Sequence, residues 1–386
     1  VGACIRSSVA DREKRLNRGE VVTVSPDWMK NIIFSIVLLL IFGLMIEAGS
    51  ALVLFYSGQL TGRPMARFDY SEGRFATQVL VHKVMGRFAL SDNLDISSEP
   101  PHIYVPHPRL GYDFIPGKAM YLTKLKRTGR VHVAPFTILE TGGRATGYLP
   151  NPEDRKIWIF GDSVIFGGGN PDEHSFPWLL QARFPGLEVK NLATPGHGNV
   201  QSLLRLRERA DEVGPNDILV WGYGDYLNHR NTASPSLVNV YDADMFEKLF
   251  PEGLRLPLAR LENGKLKIDM YRMSCEGQED WCESGDPPFA EQAKVTSALL
   301  EAFVRVTPAV TVVAYVEGPD DDPVIARARQ LGLIVADLRP DPMRNESDDF
   351  YPFDTHPGAL AHFHYFRKLA AVLVENGLVS LPAGAE

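Results

Sequence analysis

Lys156-Ile157-Trp158-Ile159-Phe160-Gly161-Asp162-Ser163-Val164-Ile165-Phe166-Gly167-Gly168-Gly169 changes character at Gly161. Ahead of that glycine stands an apolar run of strand length; behind it come an acid, a hydroxyl and a triple glycine, a strand emptying into a turn. Runs of the same kind follow at Glu188-Val189-Lys190-Asn191-Leu192, Asp217-Ile218-Leu219-Val220-Trp221 and Thr311-Val312-Val313-Ala314-Tyr315-Val316, separated by longer mixed segments. Continuous apolar strands alternating with helix-length segments imply a parallel sheet covered on both faces, hence an α/β class. Ligands of such sheets sit beyond the carboxyl ends of the strands, where Gly161, Gly196, Gly222 and Glu317 fall.

The turn itself excludes several chemistries. A phosphate loop needs a Lys behind its glycines, and a dinucleotide fingerprint needs Gly-x-Gly-x-x-Gly; neither is present. A Gly-x-Ser-x-Gly elbow is broken by Ile165 at its last position. What remains is a serine at the tip of a strand-to-helix turn, where its own N–H can face a developing oxyanion. A serine hydroxyl is a weak nucleophile without a base, and a base needs an orienting acid. Phe353-Asp354-Thr355-His356-Pro357-Gly358 supplies both on one loop, so that Asp354 can hold one side of the His356 ring while the other faces Ser163. Taken alone, that segment also reads as an ordinary loop histidine beside a helix-capping Asp.

Gly161-Asp162-Ser163 with Gly167 behind it, Asn191-Leu192-Ala193-Thr194-Pro195-Gly196, and Asp354-Thr355-His356-Pro357 resemble, in order and spacing, the SGNH or GDSL-type hydrolases over about residues 150 to 375. The resemblance implies a three-layer, flavodoxin-like sheet and ester chemistry: esterase, lipase, carbohydrate deacetylase or, in membrane-bound relatives, acyl transfer. It makes Ser163 the nucleophile, Asp354 and His356 the acid and base, and the N–H groups of Ser163 and Gly196 oxyanion donors, with Asp162 bracing the turn. Two departures stand out. The common Asp-x-x-His is Asp-x-His here, with Phe353 in the usual acid position. The family's Gly-x-Asn-Asp is Gly222-Tyr223-Gly224-Asp225, so the Asn that would be a third oxyanion donor is Gly224. Either another group takes its place or the site is slow or inactive; Asn228 is the nearest candidate, which also reads as an ordinary polar loop residue.

Ile32 to Tyr56 reads as a transmembrane helix, about 25 residues with one acid, Glu47. Arg6, Arg12, Lys14, Arg15, Arg18 and Lys30 precede it, which places the N-terminus in the cytoplasm and the main domain outside. A cleaved signal peptide ending near Ala48-Gly49-Ser50-Ala51 is the rival reading. The expected organisation is a cytoplasmic segment at 1–30, the helix at 31–56, a stalk and small β-rich collar at 57–150, and the hydrolase-like domain at 151–386. Within the last, 232–300 is expected to be an insertion that could form a lid.

A net charge of -8 argues against nucleic acid as a partner. Cys275 and Cys282 lie in one polar loop and are expected to form a disulfide in an oxidising compartment, the alternative being two ordinary thiols. His197, His229, His362 and His364 lack metal-ligand spacing, and neither a metal nor a cofactor is expected. Pro319-Asp320-Asp321-Asp322-Pro323 reads as a solvated turn, and Arg205, Arg207 and Arg209 as the wet side of a helix. The expected substrate is an acyl ester, with O-acetylated envelope or exported polysaccharide as the class suggested by analogy. The rival function is a non-catalytic module binding glycan or serving a membrane-protein assembly, and a further one is an O-acyltransferase.

Overall fold

The computed structural model describes residues 94–125, 129–147, 155–241, 250, 253–339 and 356–380, all within one compact unit. The expected membrane helix and Asp354 lie outside these residues. Among the described residues, no helix is long and apolar enough to cross a membrane.

Five strands form one parallel sheet: β6 (Lys156–Phe160), β7 (Glu188–Asn191), β8 (Ile218–Gly224), β11 (Val310–Glu317) and β12 (Ile334–Asp337). Their spatial order, β7-β6-β8-β11-β12, is the flavodoxin-like 2-1-3-4-5 arrangement. Successive side chains of a strand leave opposite faces. Ile157, Ile159, Ile218, Val220, Val312 and Ala314 accordingly join one buried cluster, and Trp158, Phe160, Leu219, Trp221, Val313 and Tyr315 the other. Helices Phe176–Arg183 and Ala359–Glu375 contribute Leu180, Tyr365 and Leu369 to the first cluster. Helices Asn199–Glu208, Phe289–Val304 and Pro323–Gln330 contribute Leu203, Leu299, Phe303 and Ile325 to the second. The result is three layers, as expected. Strand β12, only four residues long and at the sheet edge, escaped the sequence reading.

Ahead of the parallel sheet, five further strands share its core. Strands β1 (Leu94–Glu99), β4 (Gly117–Leu125) and β5 (Val131–Ile138) form an antiparallel sheet in the order β1-β4-β5, and β2 (Tyr104–His107) pairs with β3 (Gly111–Phe114) as a hairpin. Strand β1 begins inside the segment expected to be stalk. Tyr104, Tyr112, Phe114 and Phe136 pack into the first cluster beside Phe166, which follows the turn serine.

Residues 232–300 form more than one thing. Strands β9 (Arg255–Glu262) and β10 (Lys265–Arg272) make a hairpin packed on β3 and on the helices beginning at Asn199 and Leu227, not a free flap. Helix Phe289–Val304 belongs to the main core. The Cys275–Cys282 disulfide is present, with Cα atoms 5.8 Å apart.

The amino ends of β6 and β8 are tied by one buried acid. Asp217 accepts from the Lys156 N–H at 2.8 Å, the Trp158 indole N–H at 2.8 Å and the Gly214 N–H at 2.9 Å. Asp217→Ala would leave these donors without an acceptor, all three at buried or half-buried positions. The expected cost is about 2–4 kcal/mol of unfolding free energy in urea titration. A change below about 0.5 kcal/mol would remove the tie from the account.

Candidate active site

Strand β6 ends at Phe160, and Asp162 then caps a four-residue helix, Ser163–Phe166, by accepting from the Val164 N–H at 3.1 Å. The helix stops at Gly167, whose φ of 87° suits glycine and lets the N–H groups of Gly167 and Gly168 both return to the Ser163 carbonyl. Ile165 stands where an elbow would have glycine, and the room it needs comes from its neighbours. A Cβ on Gly161 or Gly222 would lie 2.5 or 2.3 Å from Ile165 Cγ1. This turn therefore moves its small residues onto the flanking strands.

The Ser163 hydroxyl meets His356. Their Oγ and Nε2 atoms are 3.0 Å apart across 193 residues of sequence, with Ser163 and His356 both half-buried. Asn170 sets the spacing between the two loops: it is buried, and its Nδ2 donates to the Pro357 carbonyl at 2.9 Å. A Cβ on Gly168 would lie 3.5 Å from Ser163 Cβ and 3.6 Å from His356 Cδ2, so this glycine packs against both partners.

Arg144 organises the turn from inside. It is 1% exposed, donates through Nη1 to the carbonyls of Phe166 (3.0 Å) and Gly167 (2.8 Å), through Nη2 to Asn170 (2.6 Å), and pairs through Nε with Asp172 (2.8 Å). Its guanidinium also lies 4.7 Å from the Phe166 ring centre. Burial pulls its pKa down, opposed by Asp172. Its backbone bridges the collar to β7 through pairings with Ile138 and Asn191. His132 of β5 adds a hydrogen bond to the Gly169 carbonyl at 2.7 Å.

The loop carrying Gly196 is also held by the collar and its surroundings. The Thr194 N–H donates to the Gly161 carbonyl at 3.0 Å, which seats this loop against the Ser163 turn. Tyr112 donates to the Pro195 carbonyl at 2.7 Å, and Tyr241 donates to the Gly196 carbonyl. Gly196 has φ 80°, and a Cβ there would lie 2.2 Å from the Tyr112 hydroxyl, so position 196 admits only glycine. His197 is a core histidine: it bonds the Tyr112 carbonyl at 3.1 Å, and burial followed by Arg205 pushes its pKa down to about 3.

The segment after β8 departs from expectation. Gly222, Tyr223 and Gly224 continue the strand, and a Cβ on Gly224 would lie 2.4 Å from the Tyr226 ring. The space a side chain at 224 would enter thus belongs to Tyr226. Asn228, the expected replacement donor, is fully buried, and its Nδ2 donates to the Tyr223 hydroxyl at 3.0 Å. That hydroxyl in turn donates to Asp322 at 3.0 Å. In this arrangement the Asn228 amide is spent inside the fold. Two positions on, Arg230 reaches the turn instead, with Nη1 3.2 Å from Asp162 Oδ2. Asp225 is buried near Asp322, and burial with that neighbour pushes its pKa up to about 6.

Two further readings change. Asp322 is not solvated: it is 1% exposed and caps helix Pro323–Gln330 through the N–H groups of Val324 and Ile325. Arg205 is also buried, in a two-pronged pair with Asp113 at 2.9 and 2.8 Å, whereas Arg207 is exposed. His362 is buried against Phe176 and His364 is exposed; His229 bonds Ser236 at 2.6 Å. No group of three metal-binding side chains occurs among the described residues.

No family model and no curated protein matches the chain. Solved structures similar to it include a G-D-S-L family lipolytic protein from Veillonella parvula (12% identity, 57% of this chain and 98% of that one, TM-score 0.35). An extracellular lipase from Streptomyces rimosus (15%, 56% and 99%, 0.33) and the salicylyl-acyltransferase SsfX3 of a tetracycline biosynthetic pathway (14%, 67% and 62%, 0.33) are further examples. Likeness at this level leaves the functional reading to the residues themselves.

The Arg144 arrangement is directly testable. Arg144→Leu would take one donor from each of three buried carbonyls, of which Phe166 keeps the Asn191 amide and Gly167 the Asn170 N–H, and would deprive Asp172 of its cation. It is expected to lose about 3–5 kcal/mol in denaturant titration. A loss under about 1 kcal/mol would show that the turn holds without it.

Proposed function

We propose that this chain is a serine esterase of the SGNH type, and the 3.0 Å contact between Ser163 Oγ and His356 Nε2 carries that reading. Ser163 Oγ bonds to the acyl carbon while its proton passes to His356, and the carbonyl π pair moves onto oxygen. Collapse of that intermediate expels the alcohol oxygen, which takes the proton from His356. Water, activated by the same histidine, then releases the acid; a sugar hydroxyl in place of water would give acyl transfer. Asp354 is assigned to orient His356, and the N–H groups of Ser163 and Gly196 to receive the oxyanion.

The finer reading is a protein anchored by the helix from Ile32 to Tyr56, with this domain outside the cytoplasm, acting on O-acetyl groups of envelope or exported polysaccharide. The basic residues ahead of that segment support the orientation. The Cys275–Cys282 disulfide supports an oxidising compartment. No cofactor enters the scheme. A non-catalytic glycan-binding or accessory role draws its support from the missing side chain at Gly224.

A fluorophosphonate probe separates the two. Labelling of the full chain that is abolished in Ser163→Ala, with release of acetate from an acetyl ester, is the expected result. Absence of labelling in folded protein would overturn the esterase reading. Acetylated acceptor formed without free acetate would assign the chain to transfer.

A further inference from the structure

The donor that the sequence places at no recognised position stands on the short helix Leu227–Asn231, directly after β8. Arg230 extends back from this helix to Asp162, the residue before the nucleophile. Asp162 serves two partners: one carboxylate oxygen caps the nucleophile helix at the Val164 N–H, and the other holds Arg230 at 3.2 Å. The guanidinium carbon lies 5.5 Å from the centre of the Tyr226 ring, the ring that fills the space in front of Gly224. The Arg230 backbone packs on the oxyanion-loop side as well, since a Cβ on Gly198 would lie 3.3 Å from its carbonyl oxygen. Arg230 therefore reaches the nucleophile turn through its side chain and the residues after Gly196 through its backbone.

Its donors are largely unspent. A guanidinium offers five N–H groups, and among the described residues one of them is used, on Asp162. The side chain is 27% exposed, against 1% for Asp162, so part of it faces open space. Burial works against its charge, but Tyr241, Asp162, Tyr226 and Tyr112 around it hold the pKa above the ordinary value. Arg144 and Arg205 differ: they are 1% and 5% exposed, and Arg144 spends its donors on four protein groups while Arg205 grips both oxygens of Asp113.

We infer that Arg230 donates to the former carbonyl oxygen of the ester during attack by Ser163, completing an oxyanion site to which position 224 contributes no side chain. The inference rests on the esterase reading above. A charged donor is roughly twice as strong as a neutral one, and partial neutralisation by Asp162 keeps it from binding every passing anion. Held by that carboxylate and stacked on Tyr226, the guanidinium needs little reorganisation as charge develops.

The test compares the full chain with Arg230→Gln and Arg230→Lys on p-nitrophenyl acetate, a neutral ester, and on the anionic p-nitrophenyl hemisuccinate. Thermal melting confirms that each variant is folded. Arg230→Gln is expected to lower kcat about 100- to 1,000-fold on both esters with KM changed less than about three-fold, and Arg230→Lys to recover part of the loss. Affinity for a boronic acid, which mimics the tetrahedral intermediate, should fall with kcat/KM, while affinity for the acetate product should not. A folded Arg230→Gln with kcat unchanged would overturn the inference and leave the esterase reading standing. A KM rise confined to the anionic ester would overturn it in favour of a substrate-anion contact. A wild-type chain inert to both esters would overturn it together with the esterase reading.

Discussion

A tight turn that exposes a serine must leave backbone carbonyls pointing inward, and in this protein one buried cation answers them. Arg144 takes the carbonyls of Phe166, Gly167 and Asn170 together, with Asp172 balancing its charge. Without Arg144 the Phe166 and Gly167 carbonyls would keep only the Asn191 amide and the Asn170 N–H, and the Asn170 carbonyl would lose its side-chain donor; a buried acceptor left unpaired costs about 1–3 kcal/mol. Asn170 carries the constraint onward to Pro357, and Pro357 adjoins the histidine. The Ser163 and His356 side chains thus meet beside a turn that Arg144 closes from within.

The antiparallel strands ahead of the parallel sheet therefore hold its loops in place. Arg144 and His132 grip the glycine loop, and Tyr112 grips the Gly196 loop. Two of the three loops assigned to the site are held from one side, by a layer whose aromatics merge with the main core. The carboxyl ends of the parallel strands supply the positions, and the collar supplies the rigidity.

The strands β6, β7, β8 and β11 were legible because each is a continuous apolar run, and the pairing of Ser163 with His356 because the chemistry of a serine demands a base. Cys275 and Cys282 were legible from their shared loop. Arg144 and Asn170 were not, since a side chain that bonds distant carbonyls leaves no local pattern; a lone Arg between two glycines and a turn was the nearest signal. Asn228 was chosen for its chemistry and its nearness to Gly224. Residues two apart on a helix point in different directions, and here the one aimed at the turn is Arg230. Arg205 was misread for a related reason: its partner, Asp113, is 92 residues away.

On the proposed reading, the site's chemistry reduces to where negative charge goes when an ester carbonyl is attacked, and Ser163, Gly196 and Arg230 are the groups assigned to receive it. The most direct measurement is a crystal structure of the full chain after reaction with a small fluorophosphonate. The account predicts phosphorus bonded to Ser163 Oγ, with a phosphoryl oxygen within hydrogen-bond distance of the Ser163 and Gly196 N–H groups and His356 facing the bridging oxygen. Phosphorus on any other residue, or a phosphoryl oxygen turned away from both amides, would contradict it.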